Sequence, residues 1–137
     1  MQKRYYLDTC IWRDYVDSRR DNLRPLGEWA FQLLRNIADE ENIVVFSSIV
    51  VKELRQFYTD QEIESLFSII PKELLLEAEI FPKQIAEAKI RAGLLGIPLN
   101  DVLHLILARD NNAILVTRDK HLLFLDDIEI RMPEELL

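Results

Sequence analysis

The sequence predicts an α/β domain, a three-layer sandwich in which helices flank a mainly parallel central sheet of four to five strands. Three observations carry that prediction. Short apolar runs at residues 5–7, 43–46 and 113–116 are continuous, as in strands buried on both faces. Longer stretches with apolar residues at helical spacing lie between them. Strands that alternate with helices need crossover connections, which are right-handed and yield parallel neighbours. At 137 residues the chain fits one domain, residues 1–137, with a substantial core.

Taken in order, residues 4–7 form a first strand, and Thr9 can cap a helix whose apolar stripe is Ile11, Trp12, Tyr15 and Val16. The polar run 17–24 reads as a loop closed by Pro25. A helix follows over 26–40, with Trp29, Ala30, Leu33, Leu34, Ile37 and Ala38 on one face. Residues 43–46 make the second strand. Ser47 and Ser48 are cap candidates for a helix over 49–58, and Asp60 for another through Ile70, stopped by Pro71. Residues 72–96 read as mostly helical, broken near Pro82, with Ala86, Ile90 and Leu94 as an apolar stripe. Pro98 and Asn100 set up a helix over 101–109, residues 113–117 form a buried parallel strand, and 129–131 form an edge strand before Pro133. No internal repeat or linker interrupts this order.

Composition narrows the classes. Nearly half the residues are hydrophobic and only three are glycine, which argues against disorder. The single cysteine, Cys10, cannot form an internal disulfide and fits a reducing cytoplasm. No basic-then-apolar leader opens the chain, and no apolar run approaches the roughly 20 residues that a membrane helix needs. The expectation is a soluble cytoplasmic protein with no membrane association. A net charge of −7 counts mildly against a nucleic-acid partner. Four acids with a separate explanation account for more than half of it, and Lys52, Arg55, Arg118 and Lys120 stand beside two of them.

Those four acids are Asp8, Glu53, Asp101 and Asp119, each at a strand end or in the first turns of a helix. In an open parallel sheet, ligands bind beyond the carboxyl ends of the strands, so these acids converge on one spot. Four clustered carboxylates repel one another unless protons or cations neutralise them. Mg²⁺ or Mn²⁺ is the simplest such cation, and it suits metal-assisted phosphoester chemistry. Singly, each acid has an ordinary explanation, as a helix cap, a dipole partner or a solvated face. Their joint placement favours a shared metal site. With two histidines and one cysteine, a zinc site is improbable.

In order and spacing, Tyr5-Tyr6-Leu7-Asp8-Thr9, Ser48-Ile49-Val50-Val51-Lys52-Glu53, Ile97-Pro98-Leu99-Asn100-Asp101 and Ile114-Leu115-Val116-Thr117-Arg118-Asp119 resemble PIN-domain ribonucleases. Small toxin nucleases of the VapC type are close in size. The resemblance spans about residues 4–136. It implies a PIN-like fold and a divalent-metal-dependent endoribonuclease, the toxin of a toxin–antitoxin pair, with RNA as substrate, a small antitoxin protein as partner and homodimerisation. It also implies that Asp8, Glu53, Asp101 and Asp119 hold one or two Mg²⁺ or Mn²⁺ ions. Asp8 and Asp101 are expected to contact the principal ion, Glu53 to act through water, and Asp119 to complete the site. Thr9 and Thr117 are expected to support these acids, and Lys52, Arg55, Arg118 and Lys120 to bind substrate.

The chain departs from the family pattern at Cys10, at His121 and in the bulky block Leu103–Leu107 around His104. The first two bear on a second metal site, the third on packing. His104 reads as a core histidine or one that supports the site. Cys10 has no histidine to serve as its base, so a nucleophilic role is set aside. Trp12, Trp29, Phe57 and Tyr58 read as core or interface residues, and the Arg19–Arg20 pair as a solvated loop. An alternative function is a catalytically idle PIN-like module, acting as a binding or scaffold subunit in an RNA-processing or regulatory complex. A haloacid-dehalogenase-type phosphatase needs a second Asp where Cys10 stands.

Overall fold

The strands form where continuous apolar runs place them. A computed structural model describes all residues, Met1–Leu137. Strands β1 (Arg4–Leu7), β2 (Ile43–Ser47), β3 (Leu75–Ala78), β4 (Ile114–Val116) and β5 (Ile130–Arg131) make one sheet in the order β3-β2-β1-β4-β5. Every pairing is parallel. The central strand is β1, where Tyr6 pairs with Val45 on one side and Leu115 on the other. All three are wholly buried, which is why these strands carry no polar alternation.

Seven helices cover the sheet: α1 (Thr9–Val16), α2 (Leu26–Asp39), α3 (Ser48–Leu54), α4 (Asp60–Phe67), α5 (Pro82–Leu95), α6 (Leu99–Asp110) and α7 (Lys120–Leu123). Helices α1 and α2 pack together, while α6 lies against β1 and β4 with α5 beside it. Seven consecutive residues of α6, Val102 through Ala108, are buried. A helix that is apolar all round can only be central. Truncating Leu105 or Leu107 to alanine would cost roughly 2–5 kcal/mol. No helix is long and apolar enough to cross a membrane.

Several expectations are corrected. Asp8, not Thr9, caps α1, because its carboxylate accepts from the Thr9 N–H. Helix α3 stops at Leu54, short of Tyr58, and α4 is capped by a reciprocal Thr59–Glu62 pair, not by Asp60. Ser47 occupies the cap position of α3 without capping it, since its hydroxyl turns to Tyr6 instead. The largest difference lies in residues 72–96, where a 3₁₀ turn (Lys72–Leu74) leads into strand β3. Leu75 to Ala78 are good helix formers, and the free edge of β2 overrides that preference by pairing with all four. The stripe on α5 faces outward: Ala86, Ile90 and Leu94 are exposed, and Gln84 and Ala88 are buried instead.

Candidate active site

Parallel strands put all their carboxyl ends on one edge, and a helix that feeds the next strand must run back antiparallel, with its first turn at that edge. Asp8 follows β1, Asp119 follows β4, and Glu53 lies in the helix after β2. Asp101 lies in the first turn of α6, which starts at Leu99, not at Asp101, and leads into β4. All four line one cleft of about 370 Å³. A larger hollow of about 640 Å³ between α1 and α4 contains a single acid, Glu62, so charge and not size marks this site.

Asp8 is buried, with both oxygens engaged. Oδ1 accepts from the Thr9 N–H at 2.7 Å and Oδ2 from the Thr117 hydroxyl at 2.8 Å. Thr117 in turn accepts from the Asp119 N–H at 3.0 Å. One oxygen of Glu53, Oε1, accepts from the Thr9 hydroxyl at 2.8 Å and from His104 Nε2 at 2.7 Å. His104 is completely buried, and its Nδ1 lies 2.7 Å from the Tyr6 hydroxyl, itself 2.7 Å from Ser47 Oγ. Because a carboxylate can only accept, the proton on Nε2 faces Glu53. In the neutral ring Nδ1 then accepts from Tyr6, and Ser47 donates to Tyr6.

The electrostatics follow from these bonds. Burial pushes the Glu53 carboxyl up, but the hydrogen bond and charge of His104 and the Thr9 hydroxyl outweigh it, so Glu53 sits below its ordinary value. Burial works against a charged His104, yet Glu53, Asp8 and Asp101 raise it on balance. Asp101 goes the other way. Burial, then a hydrogen bond and repulsion from Asp119, push it up to about 7. Burial and Asp8 likewise raise the Cys10 thiol, so no ready thiolate is on hand.

Of the four basic residues expected to bind substrate, Arg118 lines the cleft and Lys52, Arg55 and Lys120 are exposed outside it. Arg55 pairs with Asp60 at 2.8 Å. Arg118 bonds Asp14 at 3.1 Å and pairs with Glu134 at 2.8 Å. Two cleft residues, Arg13 and Gln56, were not expected in the site from the sequence, and Phe57, read there as a core or interface residue, is half exposed in the cleft. Helical spacing held the signal, since Arg13 lies four residues after Thr9, while Gln56 and Phe57 lie three and four after Glu53.

No three of the acid, histidine or cysteine groups stand close enough to cage an ion as they lie. The donor set is nevertheless all oxygen, and the Asp101–Asp119 pair carries more charge than it can hold without a proton or a cation. That suits Mg²⁺ or Mn²⁺, which keeps several waters and needs few protein ligands.

A family pattern described as PIN domain matches residues 5–127. No curated protein matches the sequence. Among solved structures, the chain resembles VapBC2 from Rickettsia felis bound to a DNA fragment from its promoter, with TM-score 0.66 and 21% identity over 93% of this chain and 96% of that one. It also resembles FitAcB from Neisseria gonorrhoeae, with TM-score 0.64 and 19% identity over 95% and 98%. A toxin–antitoxin complex from Klebsiella pneumoniae gives 0.65 and 18% over 94% and 97%. At these identities the structures speak for the fold. The family pattern covers most of the sequence, and the chain therefore belongs to the PIN-domain family, whose members are in general nucleases.

Proposed function

We propose that this chain is a divalent-metal-dependent endoribonuclease that hydrolyses RNA phosphodiester bonds in the cytoplasm, as the toxin of a toxin–antitoxin pair. The observation that carries the reading is the crowding of Asp101 and Asp119 in a cleft that also holds Asp8 and Glu53. Asp8, Glu53, Asp101 and Asp119 would hold Mg²⁺ or Mn²⁺, which when bound lowers the pKa of a water and offsets charge on the phosphoryl oxygens. The chain's own groups set the stage. Thr9 and Thr117 fix Asp8, while Thr9 and His104 fix one oxygen of Glu53 and leave Oε2 without a protein donor. Lys52, Arg55, Arg118 and Lys120 are proposed contacts for the RNA backbone.

The antitoxin partner rests on the similar fold of the VapBC2 and Klebsiella complexes. Homodimerisation rests on α5, whose exposed Ala86, Ile90 and Leu94 flank Gly93, a position with open space where a side chain would begin. Leu94→Glu should convert a dimer to a monomer in light scattering; an unchanged mass would exclude this face. The nuclease reading is tested by cleavage of a structured RNA in Mn²⁺ or Mg²⁺, with EDTA and Asp8→Asn controls. Metal-dependent cutting that vanishes in the variant is expected, and cutting that survives both controls would overturn the assignment.

A further inference from the structure

A cleft ringed by acids must still hold a polyanion, and a metal ion accounts for only part of the attraction. Two arginines line it, Arg13 and Arg118. Arg118 is neutralised by Asp14 and Glu134, which accept from its Nε and Nη1, although its Nη2 has no hydrogen-bond partner. Arg13 is placed differently. Its nearest carboxylate is Asp17 at 4.0 Å, and Asp17 is already engaged by Arg19 at 3.3 Å and by the Tyr58 hydroxyl at 2.8 Å. Arg13 Nε is buried without any hydrogen-bond partner. What a ligand can meet is the rest of the guanidinium: no carboxylate lies closer than 4.0 Å, and 24% of the side chain is exposed in this cleft.

The guanidinium carbon of Arg13 lies 3.5 Å from the centre of the Phe57 ring. Stacking restrains the guanidinium plane, so fewer rotamers are lost when its N–H groups meet a phosphate. Phe57 is half exposed, in the turn after α3, where its N–H and that of Tyr58 both bond the Leu54 carbonyl. The ring lines the charged cleft and keeps about half its surface open. It is also the natural platform for a nucleobase, since every base has an apolar face.

We propose that Arg13 and Phe57 form the substrate grip of this cleft: Arg13 takes a backbone phosphate, and a base stacks on the Phe57 face that Arg13 leaves open. This rests on the nuclease reading and adds to it the residues that read the strand.

The test is fluorescence anisotropy of the whole protein with a labelled single-stranded RNA of ten nucleotides in Ca²⁺, beside the same oligonucleotide carrying abasic sites. Arg13→Ala should weaken binding about tenfold and lower the salt dependence by about one counterion. Phe57→Leu should weaken it by about five- to a hundredfold for the intact strand and much less for the abasic one. Phe57→Trp should retain binding and show fluorescence quenched by the intact strand only. Arg35→Ala, on the surface of α2, should change nothing. Cleavage in Mn²⁺ by wild type, together with unaltered binding by Arg13→Ala and Phe57→Leu, would overturn the grip and leave the nuclease reading standing. Equal quenching by both strands would overturn the base platform. A wild type that neither binds nor cuts any nucleic acid would remove both.

Discussion

Asp8 and Glu53 reach the cleft with neutral donors on their oxygens, whereas Asp101 and Asp119 reach it against each other. Around the first pair, two threonines and a histidine hold the carboxylates in fixed rotamers. The second pair has only His121 beside it, whose N–H donates to Asp119, and Asp101 keeps its proton up to about pH 7. One half of the site is organised in advance by the protein. The other half is crowded, and under the proposed function relief of its repulsion would add to the affinity for a cation.

The sharpest way to break this arrangement is to remove a ligand from either half. Asp8→Asn or Asp101→Asn should lower metal-dependent RNA cleavage by a thousandfold or more, on the order expected when the group holding the catalytic ion is lost, with the circular dichroism spectrum unchanged. An active, normally folded Asp101→Asn protein would refute the site.

The organised half can be loosened from behind. Tyr6→Phe strips the partner from His104 Nδ1 and from Ser47 Oγ, both buried. It should cost about 1–3 kcal/mol in denaturant unfolding and about 10- to 100-fold in metal affinity, read by titration calorimetry. Lost stability with unchanged metal affinity would make the Tyr6–His104 chain purely structural.

The crowded half has a pH signature. Asp101 binds its proton more tightly folded, at about 7, than unfolded, at roughly 3.9. Its contribution to stability is therefore present at low pH and is lost as pH rises through 7. His104, also raised, acts in the same direction. Without metal the melting temperature should fall by a few degrees from pH 5 to pH 8, and Mg²⁺ should restore it. Asp101→Asn should flatten the profile, and an equally steep one in the variant would assign it elsewhere.

The smallest effect should be a gain. Asp119→Asn removes the repulsion and should raise the metal-free melting temperature at pH 8 by a degree or two while weakening metal binding. A lower melting temperature would mean that the Asp119 cap on His121 N–H outweighs the crowding.

What could be read from the sequence divides along similar lines. Strands β1, β2 and β4 and the acids at their ends were legible because continuous apolar runs mark buried parallel strands, and parallel strands fix where their ends lie. Strand β3 was not, because four helix-forming residues became a strand only through the edge that β2 offered. The α5 stripe was legible as a pattern but not as a direction, since Ile90 and Leu94 have the spacing of a core face and face outward. His104 could be read as buried. Its partners could not, because Tyr6 and Glu53 lie 98 and 51 residues away in sequence.

The central position of β1 has a consequence in time. The Asp8 carboxylate is completed by Thr117, synthesised 109 residues later, and β1 lacks one neighbour until β4 is present. A chain still on the ribosome, or one cut short before β4, therefore has three of the acids and no closed cleft. Acquisition of the site is coupled to completion of the sheet.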